Sequence, residues 1–306
     1  MSRKIVAVQA KIKVWIKCLF SEKNSITAVW KLSCTAIGYI SSIFAFSVLL
    51  KDLVGFKDAE ALCKDFWLIL VLIGIVASLV KNHEKISCKG RVKDDDLQIE
   101  VKVNDLFSIK ASSYVIPTNT FFRTIMDKEY ISPDSIQGAF QLKYFKKNRS
   151  ELDKLIEDNL KLQGIEGEDR TDNYGAVKKY PVGTVAKIDV KGKHFYFVAM
   201  NDVNKYGKPI GQKYDNVDIA LIGLLKSILL FGHCDDIAMP LIGTGRAAIR
   251  EATLDNVIEK TINTFVSSQD KIARKLTVCI RPKDYLEDKI DLKRVEKYID
   301  YKCEFK

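Results

Sequence analysis

Met239-Pro240-Leu241-Ile242-Gly243-Thr244-Gly245-Arg246-Ala247-Ala248 is the stretch whose residue types and spacing are best suited to binding chemistry. Apolar residues lead into a Gly-x-Gly turn and out into helix formers, so the pattern reads as strand, tight turn, helix. Glycines let successive backbone N–H groups turn inward toward an anion. The following helix adds its own unpaired N–H groups and the positive end of its dipole. Phosphate is the matching occupant, with Arg246 able to add a charge-assisted hydrogen bond. Taken alone, such a turn is more often a plain connection between strand and helix, and both readings stand. Metal chemistry finds no pattern to rest on. Cys18, Cys34, Cys63, Cys88, Cys234, Cys279 and Cys303 form no Cys-x-x-Cys pair, and His83, His194 and His233 are widely spaced. Scattered cysteines fit reduced thiols in the cytosol.

The elements that must position this turn alternate between strand and helix from about residue 97 onward. Leu97, Ile99, Val101 and Val103 alternate with polar residues, as a half-buried strand does, and 114–116 reads as a short strand halted by Pro117. Helices are expected over 135–147, starting at Pro133, and over 151–163. Segments 185–190 and 195–200 form a hairpin through Lys191-Gly192-Lys193. Residues 217–230 are apolar nearly all round except for Lys226, and their length suits a buried helix better than a membrane span. Strand 237–241, helix 247–265, strand 276–280 and a helix from Leu292 follow. Strands separated by crossover helices predict an α/β fold, a mixed sheet sandwiched between helical layers.

The N-terminal part follows different rules. Two uncharged apolar runs, 32–50 and 66–80, flank a polar turn over 51–65. The first run is close to the roughly 20 residues that span a bilayer. The second is shorter and would need Lys64, Asp65 and Lys81 to reach the interfaces. A buried globular helix is the alternative for the second run. Trp30 and Trp67 stand at the entry points, where indoles favour the headgroup layer. Of the net charge of +10, residues 1–31 carry +6, residues 81–93 carry +4 and the turn carries −1, which leaves the globular part nearly neutral. Basic flanks around a non-basic turn predict two transmembrane helices with both termini cytoplasmic. The basic balance then reflects membrane topology and not nucleic-acid binding. A signal peptide is the rival for the first run, but the charged leader is too long. Ile5, Val8, Ile12, Trp15 and Leu19 recur at helical spacing among lysines, so 1–31 reads as a basic amphipathic segment. That segment would lie on the membrane, pack on a neighbouring subunit, or extend the first span. Residues 81–96 read as a linker and 97–306 as the globular domain.

Four stretches of this domain resemble the macro domain, the three-layer α/β/α module that binds ADP-ribose. Val103-Asn104-Asp105-Leu106-Phe107 is similar to the turn whose aspartate receives the adenine amino group. Ser113-Tyr114-Val115-Ile116-Pro117-Thr118-Asn119 is similar to the second-strand motif that ends in the asparagine beside the distal ribose. Asn119 follows Asp105 by 14 positions, as in well-known macro domains. Ser135-Ile136-Gln137-Gly138-Ala139 falls where the first phosphate loop enters its helix, and Gly243-Thr244-Gly245 falls where the second loop closes over the diphosphate. The resemblance implies a ligand site made of Asp105, Leu106, Asn119, Ser135, Ile136, Gln137, Gly138, Gly243, Thr244, Gly245 and Arg246, with no metal and no resident cofactor.

Hydrolytic macro domains of the best-known class follow a glycine-rich first loop with an aspartate that positions water. Gln137 stands there in this chain. A neutral amide hydrogen-bonds a ligand but is no general base, so binding without turnover is expected. Asp134 is the remaining carboxylate, and a capping role beside Pro133 is its expected use. Together with the N-terminal hairpin, the chain resembles the membrane-anchored macro effectors of bacterial Thoeris antiphage defence, the ThsA family. That resemblance implies a receptor in the cell membrane, assembled as a homo-oligomer. Its signal would be an ADP-ribose conjugate such as histidine-ADP-ribose, made from NAD by a separate TIR-domain protein, and the response would be membrane disruption. Small residues at Gly38, Ser41, Ser42 and Ala45 favour close helix approach. A membrane-tethered ADP-ribosyl hydrolase is the alternative.

Overall fold

Apolar residues at helical and strand periods divide the chain into two differently built units, Met1–Ile86 and Ser87–Lys306. The structure, a computed structural model, describes residues 25–55, 65–81, 86–93, 95–127, 130–146, 148–243, 253–288 and 290–305. The amphipathic segment expected before residue 25 therefore lies outside the described residues, as do Thr244, Gly245 and Arg246.

The first unit contains helices α1 (Ser25–Val54) and α2 (Trp67–Lys81). Within α1, the 22 residues Leu32–Leu53 have a mean hydropathy of 1.7 and are long and apolar enough to cross a membrane. At a 1.5 Å rise they reach about 33 Å, against a hydrocarbon core of about 30 Å. The apolar run of α2, Trp67–Ser78, is shorter. Among the described residues one helix, not the expected two, meets the length for a span. The two helices nevertheless pack as a hairpin. Gly74 sits so close to α1 that a Cβ there would lie 2.8 Å from Ile40 Cγ1. The buried Ser78 hydroxyl donates to the Leu32 carbonyl at 2.7 Å. Large apolar side chains face away from this contact, among them Phe46, Leu49, Leu68 and Leu72. Gly38, Ser41, Ser42 and Ala45 are also exposed, so the small-residue stripe is not what joins the hairpin.

The second unit opens with β1 (Ser87–Arg91), β2 (Gln98–Val103) and β3 (Ser113–Asn119), then α3 (Ile136–Tyr144) and α4 (Arg149–Leu162). A small hairpin follows, β4 (Glu168–Asp172) with β5 (Gly175–Lys179), then β6 (Val185–Val190), β7 (Lys193–Val203) and β8 (Pro209–Ile210). The chain ends with α5 (Asp215–Phe231), β9 (Asp236–Pro240), α6 (Leu254–Val266), β10 (Lys275–Ile280), α7 (Pro282–Asp288) and α8 (Leu292–Glu304). The main sheet has the order β1-β2-β10-β9-β3-β7-β6, with β8 added beside β7. Its five central strands, β2, β10, β9, β3 and β7, run parallel, and β1, β6 and β8 pair antiparallel at the margins. The mixed sheet is as expected.

β7 shows how the faces are divided. Phe195, Phe197 and Ala199 point to one face, into a core with Phe140, Leu152, Ile156 and Leu160 of α3 and α4. Phe140 meets Phe195 and Phe197 edge-on, with ring centroids 4.7 and 5.1 Å apart. Tyr196, Val198 and Met200 point to the other face, which α5 covers, so the strand is buried on both sides as a central parallel strand must be.

Several expectations need correction. The stretch taken as a linker contributes β1, which pairs with β2 from Ser87 to Arg91. Pro117 does not halt β3, because pairing with β9 has already ended at Tyr114 and the missing N–H costs no bond on that side. Asp134 is not the helix cap. Ser135 is, its hydroxyl accepting from Gly138 N at 3.0 Å. α5 is not buried all round, since Ile219, Ile222 and Leu230 are exposed. Helix α6 begins at Leu254 among the described residues.

Candidate functional site

Five parallel strands release their carboxyl ends at one edge of the sheet, which is where ligands bind in α/β folds. A cavity of about 360 Å³ lies there. Asn119 of β3, Asn201 of β7, Gly243 after β9 and Cys279 of β10 line it, as do Ser135, Ile136 and Gln137 at the start of α3. β10, β9, β3 and β7 are neighbours in the sheet. With strands about 4.8 Å apart, the cleft runs about 14 Å across them. It therefore suits an elongated ligand.

The middle of the cleft presents backbone. α3 begins beside it, and the first N–H groups of a helix lack intrahelical partners. Gly243 adopts φ +83°, a left-handed conformation that glycine takes without strain. Gly138 serves a different purpose. A Cβ at this position would lie 2.2 Å from the Ser132 carbonyl oxygen, so glycine lets the helix start press against its preceding loop. Gly138 does not line the cavity.

Gln137 lines the cavity, but its amide is already engaged. Its Oε1 accepts from Thr118 Oγ1 at 3.1 Å, and its Nε2 donates to the Arg123 carbonyl at 3.0 Å. Asn119 is held by an Asx turn in which Oδ1 accepts from Phe121 N at 3.0 Å, and its Nδ2 has no partner among the described residues. Asp105 is exposed and precedes the 3-10 turn Leu106–Ser108 without a side-chain hydrogen bond to it. It follows β2, the strand next to β10, and does not itself line the cavity. Leu106 is buried in the core and does not line the cleft.

Cys279 itself is held as a neutral thiol. Burial pushes its pKa up well beyond the usual range; Lys102 opposes this, and Asp105 and Glu100 add to it. Thiolate is the reactive form, so Cys279 is expected to resist iodoacetamide at about pH 8 while the half-buried Cys234 is modified. Peptide mapping by mass spectrometry reads both, and rapid labelling of Cys279 would contradict the closed packing under this cleft.

An arm built from 120–127, 130–131, the β4–β5 hairpin and 202–210 lies at the β7 end, where Tyr130, Ile131, Val203, Gly207 and Pro209 wall the cavity. Arg123 joins it to the sheet: Nε and Nη2 each reach the Asp172 carboxylate at 2.8 Å, and Arg123 N also donates to Asn119 Oδ1 at 3.4 Å. Tyr130 donates its hydroxyl to the Lys205 carbonyl at 2.7 Å, and its ring meets Tyr174 edge-on. Burial first, then the charge of Asp172, raises the pKa of Tyr130, so it stays a protonated donor. At the β10 end, Arg281 is pinned by two bonds to Asp284, at 2.7 and 2.9 Å, and both residues line the cavity.

The family model for the macro domain of Thoeris protein ThsA matches residues 99–281. The chain belongs to the ThsA macro-domain family. A ThsA protein of Bacillus amyloliquefaciens (strain Y2) is 21% identical over 260 residues, covering 80% of this chain and 84% of that one. Among solved structures, the Oceanobacillus iheyensis macrodomain with ADP is 14% identical, with 69% of this chain and 97% of that chain covered and a TM-score of 0.46. Thermosipho africanus DarTG in complex with ADP-ribose is 10% identical, with 69% and 47% covered and a TM-score of 0.44.

Of the expected site residues, the structure brings Asn119, Ser135, Ile136, Gln137 and Gly243 together around the cavity, and Asp105, Leu106 and Gly138 do not line it. Asn201, Tyr130, Arg281 and Asp284 escaped the sequence reading. Asn201 and Arg281 directly follow apolar strand runs, and the rule that ligands sit at carboxyl ends of parallel strands marks such positions. Tyr130 and Asp284 carry no comparable local signal. Among the described residues no histidine lines the cavity, and no group of three His, Cys, Asp or Glu is placed to hold a metal ion.

Proposed function

We propose that the cleft receives ADP-ribose bearing a group on its distal ribose, such as histidine-ADP-ribose, and that the N-terminal helices carry the response into a membrane. The observation behind this reading is the elongated cleft of a ThsA-family chain, with Gly243 and the α3 N-terminus in the middle and Asn119 toward the β7 end, while Asp105 follows β2, the strand next to β10 at the opposite end. The adenine amino group meets Asp105, the diphosphate lies against Gly243 and the start of α3, and the distal ribose meets Asn119. Thr244, Gly245 and Arg246 complete the phosphate loop. The signal arises from NAD through a separate TIR-domain protein, in antiphage defence.

Reception without turnover is favoured by Gln137, whose amide is fully engaged within the protein and has no acid–base capacity. The exposed Asp134 carboxylate at the cavity wall is the feature on which a hydrolase reading would rest. In the membrane, α1 and α2 insert as a two-pass hairpin with both termini cytoplasmic. The outward stripe of Gly38, Ser41, Ser42 and Ala45 permits association between copies and disruption of the bilayer.

Calorimetry with ADP-ribose tests the cleft. Asp105→Ala is expected to lower affinity by about one to two powers of ten, the worth of one charge-assisted hydrogen bond. Unchanged affinity would place the base elsewhere. Chromatography of histidine-ADP-ribose after long incubation separates receptor from enzyme, and product that vanishes in Asp134→Ala would favour the hydrolase.

A further inference from the structure

At the β7 end of the cleft lies a polar group that the protein leaves unanswered. Asn201 keeps only 7% of its exposure and lines the cavity, yet its buried Oδ1 accepts no hydrogen bond from any described residue. Gln137 on the same cavity has both ends of its amide bonded, so this is not how the cleft treats every amide. Buried acceptors without donors are rare in folded proteins, because each forfeits its bonds to water.

Asn201 lies across from Asn119 in the sheet, and the wall beside it is mixed, with Asn119 and Thr118 on one side. Its backbone carbonyl accepts from Thr120 N at 2.9 Å, which ties β7 to the strand that carries Asn119. Tyr130, Val203, Gly207 and Pro209 form the neighbouring wall. Gly207 has φ +76°, and a Cβ there would lie 2.6 Å from the Tyr130 ring, so the ring rests directly on the glycine. The Tyr130 hydroxyl is spent on Lys205. Asn201 thus offers a buried, unpartnered acceptor at the cavity wall, in register with Asn119 and about 14 Å across the sheet from the β10 end.

We propose that Asn201 is a specificity residue that accepts a hydrogen bond from a donor on the group attached to the distal ribose. The inference rests on the ADP-ribose reading above, which sets the base at the β10 end and leaves the β7 end for whatever the ribose carries. A ligand lacking a donor leaves Oδ1 as unsatisfied as before, whereas one that supplies a donor at this wall gains a bond that water does not compete for. Asn201 thereby separates a donor-bearing conjugate from ADP-ribose whose anomeric position is blocked.

The test uses the full chain in detergent micelles, titrated with histidine-ADP-ribose, 1″-O-methyl-ADP-ribose and ADP. The unmodified protein should prefer the histidine conjugate to the methyl compound. Asn201→Ala should weaken the conjugate about tenfold, leave ADP and the methyl compound nearly unchanged, and so erase the preference. Asn201→Ser, smaller but still polar, should fall between. Without ligand Asn201→Ala should melt at or above the temperature of the unmodified protein, because an unsatisfied acceptor has been removed, and Asn201→Ser should melt close to it. Equal weakening of all three ligands, unchanged binding of the conjugate, or lowered melting in both variants would overturn the assignment. Failure of the unmodified chain to bind any of the three would instead defeat the ADP-ribose reading itself, and this inference with it.

Discussion

Removal of residues 1–86 is expected to abolish signal-dependent growth arrest while leaving ligand affinity within about twofold. The cleft is lined wholly by residues of the second unit, from Pro117 to Asp284, so the deletion removes none of its walls. What it removes is a 22-residue apolar stretch of which only 11% is buried, together with the exposed apolar side chains of α2. Apolar surface of that extent is costly in water and favourable in lipid. A ligand acts on the membrane only by as much as it binds the responding state more tightly, and a coupling of about 1–3 kcal/mol is a usual size. On the proposed reading, the hairpin supplies the membrane-embedded state that the ligand favours, and the deletion removes it. Growth and membrane potential, followed in cells that express the signal source with the full or shortened chain, decide the matter. Arrest by the shortened form would show the hairpin to be dispensable.

The second large effect concerns the arm. Asp172→Ala is expected to destabilise the protein by about 3 kcal/mol, because the Asp172 side chain has no exposure and Arg123 only 18%, and removing the anion leaves a largely desolvated guanidinium without its counter-ion, held only by the Gly175 and Ala176 carbonyls. For a unit of about 200 residues this lowers the melting temperature by about 6–12 °C. The damage should extend to the cleft. Arg123 holds Gln137 through its carbonyl and Asn119 through its N–H, so loosening its side chain loosens two lining residues. Replacing both partners with apolar residues, Arg123→Met with Asp172→Leu, should restore much of the stability, since no buried charge is then left alone. Calorimetric melting of the single and double variants gives the answer. A single variant that melts like the original would mean that the ion pair is solvated and the arm independent of it.

Much of the architecture could be read from local pattern. The alternation of Leu97, Ile99, Val101 and Val103 became β2 with every second residue buried, because a strand half covered by helices must alternate. The run 195–200 became the centre of β7. Strand-to-helix order predicted parallel pairing, because a crossover returns a strand in the same direction. The motif residues Asn119, Ser135 and Gly243 met at one edge because each ends a strand or starts a helix there. β1 escaped notice because Ser87-Cys88-Lys89-Gly90-Arg91 has little strand character. It is held by pairing with β2 and by α8, whose Ile299 and Cys303 lie against Gly90. The β4–β5 hairpin is almost wholly polar and is held by Asp172 and Arg123, 49 positions apart in the chain.

Residue types and spacing by themselves determined the two apolar N-terminal helices, the α/β class and a glycine where the chain leaves β9, because hydrophobic period and glycine's backbone freedom are local properties. Tertiary structure decided what each polar group does once its neighbours arrive. It made Gln137, which lines the cavity, a brace between Thr118 and Arg123, passed the cap from Asp134 to Ser135, and pushed Leu106 into the core. It also left Asn201 Oδ1 without a donor among the described residues at the wall of the cleft. Whether a polar side chain is spent or available depends on the donors and acceptors that folding brings within about 3 Å, and these come from parts of the chain far apart in sequence.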